Sequence, residues 1–493
     1  MSGAQARPER AILAPGLEIC RIVTGLWQMA DQERDGRSID LDSAAEALAG
    51  YAQAGFDTFD MADHYGSAEI VAGRASSLCQ ARGGTRPAIM TKWVPEPGPM
   101  TPEVVRDGVR RALDRLGLER IDLMQLHWWS YQHPAYLDAM AELMRLKQEG
   151  LIDHLGVTNF DTAHLRVLVK NGFEIASNQI CFSLLDRRAA GEMSAFCLEH
   201  GIALLAFGTL AGGFLADRWL AAPDPAEIGD WSKMKYRRFI EAAGGWEAFQ
   251  ALLRALAEVA SRHGVSIANV ATRWVLEHPA VAAVIVGARL GERQHRSDNL
   301  RVFSFALDDA DRARLEEALA VTTPIPGDCG DEYRRPPFLT ASGDLSHHLE
   351  SLPQVYASAP VPGRPERQRV DSGSAWEAAC GYSRALRVGD RILVSGTTAT
   401  DDSGAVVCPG DVEGQTTYIL DKIAAALSAL GGELDDVVRT RIYLRDVAGW
   451  AEIARCHRRA FGRALPANTL LAIAALVGDY EVEIEAEAVV RQE

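Results

Sequence analysis

The sequence contains no apolar run long enough to cross a membrane. Its most apolar stretch, 279–288, is about half the ~20 residues that a membrane-spanning helix needs. The first ten residues, MSGAQARPER, include no apolar segment of the kind that directs secretion, so we expect no signal peptide. Lysine is also scarce, with only six among the 51 basic residues. A lysine on an apolar strand is therefore informative.

Paired metal-binding and redox motifs are absent too. The eight cysteines are scattered without a C-x-x-C pair, and the 12 histidines form no H-E-x-x-H motif. This spacing predicts reduced thiols in a cytoplasmic protein, and neither a disulfide framework nor a metal site. The net charge of −16 is acidic. Because an acidic surface repels phosphate backbones and anionic lipids, we expect no binding to nucleic acid or to membranes.

The length of 493 residues, at roughly 150 per domain, predicts two or three domains. From about residue 20 to 305, short apolar runs alternate with amphipathic helical stretches. The apolar runs lie at 21–27, 56–62, 88–93, 121–128, 154–160, 175–182, 203–209 and 282–288. Eight such strand–helix units predict an α/β fold, the parallel (β/α)8 or TIM barrel. The rival, a doubly wound sheet, lacks its G-x-G-x-x-G after the first strand.

The texture of the sequence changes after the barrel region. A polar insertion at about 212–245 is predicted to overhang the barrel mouth. Proline, glycine and serine become frequent after residue 320, whereas a hairpin turning at Gly389-Asp390, two helices and a closing strand pair follow later. The predicted units are a barrel at 1–320, its tail and a linker at 321–369, and a smaller α+β domain at 370–493.

Four polar side chains lie where the barrel strands end, which is where such barrels carry their chemistry. Asp60, Lys92 and His127 end strands two, three and four, and Tyr65 lies in the loop after strand two. An ammonium beside a phenol stabilises the tyrosinate and so strengthens the acid. The set therefore suits proton donation to a carbonyl oxygen while hydride arrives at carbon. Taken singly, each residue also fits a structural role, as a helix cap, a snorkelling lysine or a core histidine.

Several segments then match one family in order, namely GFDTFDMADHYGSAE, IMTKW, IDLMQLHW, HLGVTNFD, SNQI and VIVGARLGERQHRSDNL. From about 20 to 320 the chain resembles the aldo-keto reductases. The resemblance implies an NAD(P)H-dependent oxidoreductase that reduces an aldehyde or ketone to an alcohol. By it, Tyr65 is the general acid, Lys92 and Asp60 are its activating pair, and His127 orients the carbonyl.

The same resemblance assigns the nicotinamide half of the cofactor. Thr158, Asn159 and Gln179 match the positions that hold the nicotinamide carboxamide. Phe207 matches the aromatic residue that stacks on the nicotinamide ring, and Leu210 lies in the loop that contacts the pyrophosphate.

The adenosine half is assigned in the same way. Arg289 falls where the family places a basic residue on the adenosine 2′-phosphate, and Asp298 and Asn299 fall where it grips adenine. His295 replaces an Arg or Gln that is common there. The implied cofactor is NADPH, with NADH as the alternative.

Large rings near the mouth predict an apolar or ring-stacking substrate wall. These rings are Trp27, His64, Trp93, Trp128 and Trp129. The alternative is that about half of them belong to the core. The segment 327–350 is predicted either to fold over the mouth with Tyr333, Arg334 and His347, or to serve only as linker.

From about 370 to 492 the chain resembles the reactive intermediate deaminase (RidA, YjgF-like) family. The matching pieces are GYSRALRVGDRILVSGTTA, Gln415-Thr416, LDDVVRTRIYLRD, LPANTLL and VEIEAEAVV. Family members form trimers with clefts between subunits, and active ones hydrolyse enamines or imines. Tyr382, Asn468 and Glu485 match cleft positions, but Asn468 replaces an Arg whose bidentate contact with a carboxylate an amide cannot make.

The resemblance therefore leaves two roles open for this domain, binding or hydrolysis of an imine or enamine, and assembly of a homotrimer. For the whole chain we expect a carbonyl reductase with a small-molecule carbonyl substrate. The alternative from another class is a nicotinamide-binding redox sensor or scaffold without significant turnover. The complete set of Asp60, Tyr65, Lys92 and His127 favours catalysis.

Overall fold

The computed structural model describes residues 7–29, 40–96, 98–229, 231–290, 295–334 and 353–490. Eight parallel strands close into a barrel in the order β10-β3-β4-β5-β6-β7-β8-β9, which confirms the predicted fold. The barrel strands are β3 (Ile22–Gly25), β4 (Thr58–Asp60), β5 (Ala88–Trp93), β6 (Ile121–His127), β7 (Ile152–Thr158), β8 (Ser177–Cys181), β9 (Ala203–Phe207) and β10 (Val281–Gly287).

Helices surround this barrel and follow most of its strands. They are α1 (Leu41–Gln53), α2 (Ala68–Ala81), α3 (Pro102–Leu116), α4 (Tyr136–Gln148), α5 (Thr162–Lys170), α6 (Glu192–His200), α7 (Trp231–Ala242), α8 (Gly245–His263), α9 (Ile267–Leu276), α10 (Arg296–Arg301), α11 (Asp309–Ala320) and the short α12 (Asp331–Arg334). Helix α7 lies in the predicted insertion.

Helix α3 illustrates why these segments are helical. Thr101 caps the helix, because its side chain accepts a hydrogen bond from the Val104 amide, and Pro102 occupies the first turn, where no amide donor is needed. Gly117 ends the helix in the left-handed conformation, at φ 64°. The buried residues recur at helical spacing and face the barrel, whereas the charged residues face outward.

A hairpin that the sequence analysis did not predict precedes the barrel. It consists of β1 (Arg10–Ala14) and β2 (Leu17–Cys20). Leu13 and Leu17 pack in one cluster with the barrel-strand residues Val23, Met90 and Leu205. The hairpin therefore closes the end of the barrel at which the strands begin. The opposite end, where the strands finish, is left open for a functional site.

The C-terminal unit is a seven-stranded mixed sheet with the order β11-β12-β13-β14-β17-β15-β16, which confirms the predicted α+β domain. Its strands are β11 (Ser358–Val361), β12 (Arg364–Val370), β13 (Ala385–Val388), β14 (Arg391–Thr397), β15 (Val437–Leu444), β16 (Ala467–Ala472) and β17 (Val482–Val489). Its helices are α13 (Ala375–Cys380), α14 (Val412–Ser428) and α15 (Trp450–Phe461). Helix α14 packs on this sheet and also on α5 of the barrel.

Two details differ from the sequence analysis. Strands β11 and β12 lie inside the stretch 321–369 that was predicted to be tail and linker. Strand β11 is at the sheet edge and β12 lies next to it, and both are largely exposed, so their sequence lacks the apolar alternation of a half-buried strand. The predicted closing pair is also wrong, because β15 separates β16 from β17 and pairs with both.

All eight cysteines are free thiols, and Cys380 is the exposed one. In the part of the chain that the structure describes, no helix has the length and apolar character needed to cross a bilayer.

The contact between α2 and α3 gives a stability prediction. A Cβ atom added at Gly73 would lie 2.0 Å from the Leu116 carbonyl oxygen, which is rigid backbone. Gly73→Ala should therefore destabilise the barrel by about 1–3 kcal/mol, seen as a lower urea midpoint. Gly98→Ala is the control, since a Cβ there would meet no atom within 4 Å. Equal midpoints for the two variants would contradict this packing.

Candidate active site

A cavity of about 780 Å³ opens where the barrel strands end. It is lined by Asp60, Tyr65, Lys92 and His127, the four residues predicted to carry catalysis. The eight positions matched to the cofactor also line it, namely Thr158, Asn159, Gln179, Phe207, Leu210, Arg289, Asp298 and Asn299. The fold therefore brings both predicted groups together in one space.

A buried ion pair forms the floor of this cavity. Lys92 Nζ lies 2.7 Å from Asp60 Oδ2, and the two side chains are 3% and 5% exposed. Gln179 Nε2 donates to Asp60 Oδ1 at 2.8 Å, and Gln125 Nε2 donates to the same oxygen at 3.3 Å. Burial lowers the pKa of Lys92 below its usual value, against the opposing effect of Asp60. Gln179 thus supports the ion pair as well as lining the cofactor region.

The phenol ring of Tyr65 lies beside this pair. Lys92 Nζ is 5.2 Å from the centroid of the Tyr65 ring. The rings of Trp27 and His64 meet the Tyr65 ring edge-on, at 5.0 and 4.7 Å between centroids. These contacts fix the orientation of the phenol beside an ammonium, which is the arrangement that a tyrosine acid needs.

His127 is a buried and neutral imidazole. Burial is the main cause that lowers its pKa well below the usual value, and the nearby basic side chains of Arg334, His64, Lys92 and Lys235 lower it further. Its Nε2 atom lies 3.3 Å from Asn159 Nδ2, and the Trp129 ring stacks on it at 5.1 Å. A neutral imidazole can hydrogen-bond a carbonyl oxygen without bringing a second charge into the site.

Two orphaned oxygens fit a nicotinamide carboxamide. Thr158 Oγ1 and Asn159 Oδ1 are buried, and neither has a hydrogen-bond partner among the described residues. Buried polar atoms without partners are costly, so a ligand with amide donors is expected to satisfy them. Asn159 has a φ of 57°, a left-handed conformation that asparagine tolerates. The residues present therefore fit the nicotinamide group that the sequence implied.

Arg289, Asp298 and Asn299 contribute to another part of the cavity lining. The Asp298 carboxylate accepts a hydrogen bond from Ser266 Oγ at 3.3 Å, and Ser266 caps helix α9. This arrangement ties the predicted adenosine region to the start of α9.

The substrate wall requires a correction. Trp27, His64 and Trp129 line the cavity, whereas the prediction is wrong for Trp93 and Trp128. Trp93 packs against Gly108 of α3, and Trp128 is 1% exposed and donates its Nε1–H to the Ser130 carbonyl at 2.7 Å. The reason is strand alternation. Because Lys92 and His127 point into the barrel, their successors point outward to the helices.

Part of the segment 327–350 lies at the mouth. Arg188 holds it, with Nη1 donating to the Asp328 carbonyl at 2.6 Å and Nη2 bonding Glu332 at 2.8 Å. Tyr333 then lines the cavity, and its ring centroid is 5.4 Å from the His127 ring. Residues 335–350, which include His347, are outside the described residues.

Lys235 of α7 also lines the cavity, although it was not among the predicted site residues. Its side chain is buried, donates to the Tyr333 hydroxyl, and places its ammonium 4.3 Å from the Tyr333 ring and 5.5 Å from the Phe207 ring. The scarcity of lysine was a usable signal, because Lys235 is one of only six lysines and lies in an insertion predicted to overhang the mouth.

The residues matched to the RidA cleft are not joined within one chain. Asn468 aligns with Thr440, and Asn468 Nδ2 donates to Thr440 Oγ1 at 2.9 Å on the helix-covered side of the sheet. Glu485 aligns with Arg441 on the opposite face and bonds it at 3.0 Å. Tyr382 is 38% exposed, and its ring lies 5.9 Å from the Arg384 guanidinium.

Comparison with known proteins finds relatives of both the barrel and the C-terminal domain. The model described as "Aldo/keto reductase family" matches residues 21–320, and the model described as "Endoribonuclease L-PSP" matches residues 372–490. An aldo-keto reductase of Mycobacterium sp. (strain MCS) is 29% identical over 274 residues, covering 55% of this chain and 81% of that protein. A RutC family protein of Pyrococcus horikoshii is 32% identical over 107 residues, covering 22% of this chain and 85% of that protein.

Two further relatives extend the comparison. The NADH-specific methylglyoxal reductase of Escherichia coli (strain K12) is 26% identical over 226 residues, covering 44% of this chain and 65% of that protein. The structure of a glycerol dehydrogenase from Gluconobacter oxydans superposes with a TM-score of 0.53 at 22% identity, covering 66% of this chain and 98% of that one, which shows the shared fold. The first family model spans more than half of the chain. The chain therefore belongs to the aldo/keto reductase family, and it carries a RidA-like domain at its C-terminal end.

Proposed function

We propose that this protein reduces an aldehyde or ketone to an alcohol with a nicotinamide cofactor. The observation that carries the proposal is the buried Lys92–Asp60 pair beside the Tyr65 ring, in the cavity that also holds the orphaned oxygens of Thr158 and Asn159. A bound NAD(P)H supplies the hydride. The name of the Escherichia coli relative, a methylglyoxal reductase, supports a carbonyl as the substrate class.

The chain's own residues perform the proton chemistry. Tyr65 donates its hydroxyl proton to the carbonyl oxygen as hydride reaches the carbon. The Lys92 ammonium stabilises the tyrosinate that remains, and Asp60 holds that ammonium in place. Neutral His127 hydrogen-bonds the same oxygen and orients it. The rings of Trp27 and Trp129 form an apolar wall of this space.

NADPH is the proposed cofactor, because Arg289 lines the cavity and carries a charge suited to a 2′-phosphate. The NADH-specific Escherichia coli relative keeps NADH as the alternative. The eight free thiols support a reducing compartment, the cytoplasm, as the site of the reaction.

Tyr65→Phe should lower turnover of an aldehyde about 10²- to 10⁴-fold, because it removes the proton donor but keeps the ring. Cofactor binding, followed by fluorescence titration, should remain at the wild-type level. Tyr51→Phe is the control, since Tyr51 is buried outside the cavity. A wild-type protein that binds the cofactor but oxidises none of it with a panel of aldehydes would instead support the sensor alternative.

Arg289→Ala should weaken NADPH binding roughly 10- to 100-fold and NADH binding much less, since the lost contact is charge-assisted and specific to the phosphate. Dissociation constants for both cofactors measure this difference. Arg314→Ala is a matched control, because Arg314 bonds Glu258 of α8 and does not line the cavity. An equal change for both cofactors would show that Arg289 does not contact the 2′-phosphate.

For the C-terminal domain, assembly is the better supported of its two roles. Asn468 already bonds Thr440, and it cannot supply the charge that an arginine would bring to a carboxylate. The sheet face opposite the helices also carries the exposed apolar side chains of Val388, Leu393, Leu471 and Val489. Val388 and Val489 both pair with Arg391 on the strand between them. Exposed apolar side chains grouped on one face are typical of an interface. We therefore propose a homotrimer formed through this face.

Light scattering tests the assembly. The full chain should have about three times the monomer mass of 53.5 kDa. Leu393→Glu should reduce the mass to that of a monomer, because it places a charge in the proposed apolar contact. Val321→Glu, on an exposed position of the barrel domain, should leave the mass unchanged. A monomeric wild-type protein would exclude the trimer.

A further inference from the structure

The C-terminal domain packs directly behind the predicted nicotinamide-binding residues. Helix α5 follows Asn159 after only two residues, and it lies against α14 of the C-terminal domain. Arg166 of α5 bonds Asp411 at 3.1 Å and Glu413 at 3.3 Å. The Cys408 amide donates to Asn171 Oδ1 at 3.1 Å. These contacts fix the two helices side by side.

The centre of this interface is His164, which is 4% exposed. Its Nδ1 lies 2.7 Å from Asp161 Oδ1, and its Nε2 lies 2.9 Å from Asp421 Oδ2 of the C-terminal domain. Burial alone would lower the pKa of His164, but the two carboxylates raise it above its usual value. The His164 ring therefore joins one carboxyl group from each domain.

Asp161 transmits this contact to the start of α5. The same oxygen that bonds the His164 ring accepts a hydrogen bond from the His164 amide at 2.8 Å, so Asp161 is the helix cap. The Asp161 amide donates to the Tyr131 hydroxyl at 3.2 Å. Two bonds thus fix the residue that lies two positions after Asn159.

A stack of three side chains, His164, Tyr131 and Arg334, leads from this interface to the active site. The Tyr131 ring stacks on the His164 ring at 3.3 Å between centroids and 6° between planes. The Arg334 guanidinium lies 4.1 Å from the Tyr131 ring centroid. Arg334 then donates to the carbonyl oxygen of Asn159 at 2.5 Å and to that of Trp128 at 2.8 Å. It therefore holds the backbone at Asn159 and the backbone next to His127.

We propose that the C-terminal domain fixes the cofactor-binding loop of the reductase, with Asp421 as a positioning residue that acts on Asn159 through His164 and Asp161. The inference rests on the proposed binding of the nicotinamide carboxamide by Asn159. It assigns to the appended domain a role in the barrel's own chemistry, within a single chain.

Asp421→Ala in the full chain tests this role with two readouts. Hydrogen–deuterium exchange of peptides covering 158–164 should become faster, because the loop loses one of its anchors. The dissociation constant for NADPH or NADH, whichever the wild type binds more tightly, should rise about 3- to 30-fold, the range for residues that couple to a site without touching its ligand.

Arg166→Ala is the matched control. It removes two ion pairs from the same interface, but it does not belong to the chain of contacts that leads to Asn159. This variant should leave both the exchange of 158–164 and the cofactor affinity near wild type. Equal losses in the two variants would mean that the interface matters only for stability, and would overturn the proposal.

The remaining outcomes separate the two hypotheses. Unchanged exchange in Asp421→Ala overturns the positioning role, whatever the protein catalyses. Faster exchange with unchanged cofactor affinity also overturns it. A wild-type protein that binds no nicotinamide cofactor overturns the proposed function instead, since exchange is measured without ligand. If Asp421→Ala does not fold, Asp421→Asn, which keeps the size and an acceptor oxygen, should show both changes in the same direction at smaller size, and their absence overturns the proposal.

Discussion

The buried ion pair of Lys92 and Asp60 is the constraint on which the open end of the barrel depends. Two opposite charges that are almost fully excluded from water are stable only if both are paired and hydrogen-bonded. Removal of either partner would leave an isolated buried charge, at a cost of about 3–5 kcal/mol. Four strands therefore meet at this point, because β4, β5, β6 and β8 supply Asp60, Lys92, Gln125 and Gln179.

The electrostatics of the site contrast with those of the whole protein. The chain has a net charge of −16, yet the groups that lower the pKa of His127 most after burial are the basic side chains of Arg334, His64, Lys92 and Lys235. The described lining of the cavity holds five lysine or arginine side chains and three aspartates, so it favours an anionic ligand more than the acidic outer surface does. Burial, assisted by these basic groups, lowers the pKa of His127, so the Lys92–Asp60 ion pair is the charged pair beside Tyr65.

Much of the fold and site could be predicted because it depends on local periodicity. The eight apolar runs became the eight barrel strands, and the residues at their ends, such as Asp60 and His127, converge because parallel strands finish at one edge. The same alternation, applied one residue further, would have excluded Trp93 and Trp128 from the pocket. The largely exposed strands β11 and β12 could not be predicted, because their residues show no apolar alternation.

Contacts between segments that are distant in the sequence could not be predicted, because they leave no local periodicity. No residue near His164 in the sequence indicates that Asp421, 257 residues later, is the second hydrogen-bond partner of its ring. The opposite orientation of Asn468 and Glu485 likewise follows from strand register, which the matching segments alone do not specify. Lys235 could be predicted only in part. The scarcity of lysine marks it in the sequence, but its partner Tyr333 comes from a distant segment.

The covalent link between the two domains changes what their interface needs to achieve. Two separate proteins would need enough contact energy to offset the entropy lost on association, whereas domains of one chain meet at millimolar effective concentration for short linkers. A weakened contact at His164 would therefore loosen the fit without releasing the partner. Substitutions along α5 and α14 can therefore change the strength of the contact between the domains in small steps. A weaker contact does not separate the two domains, because they belong to one chain.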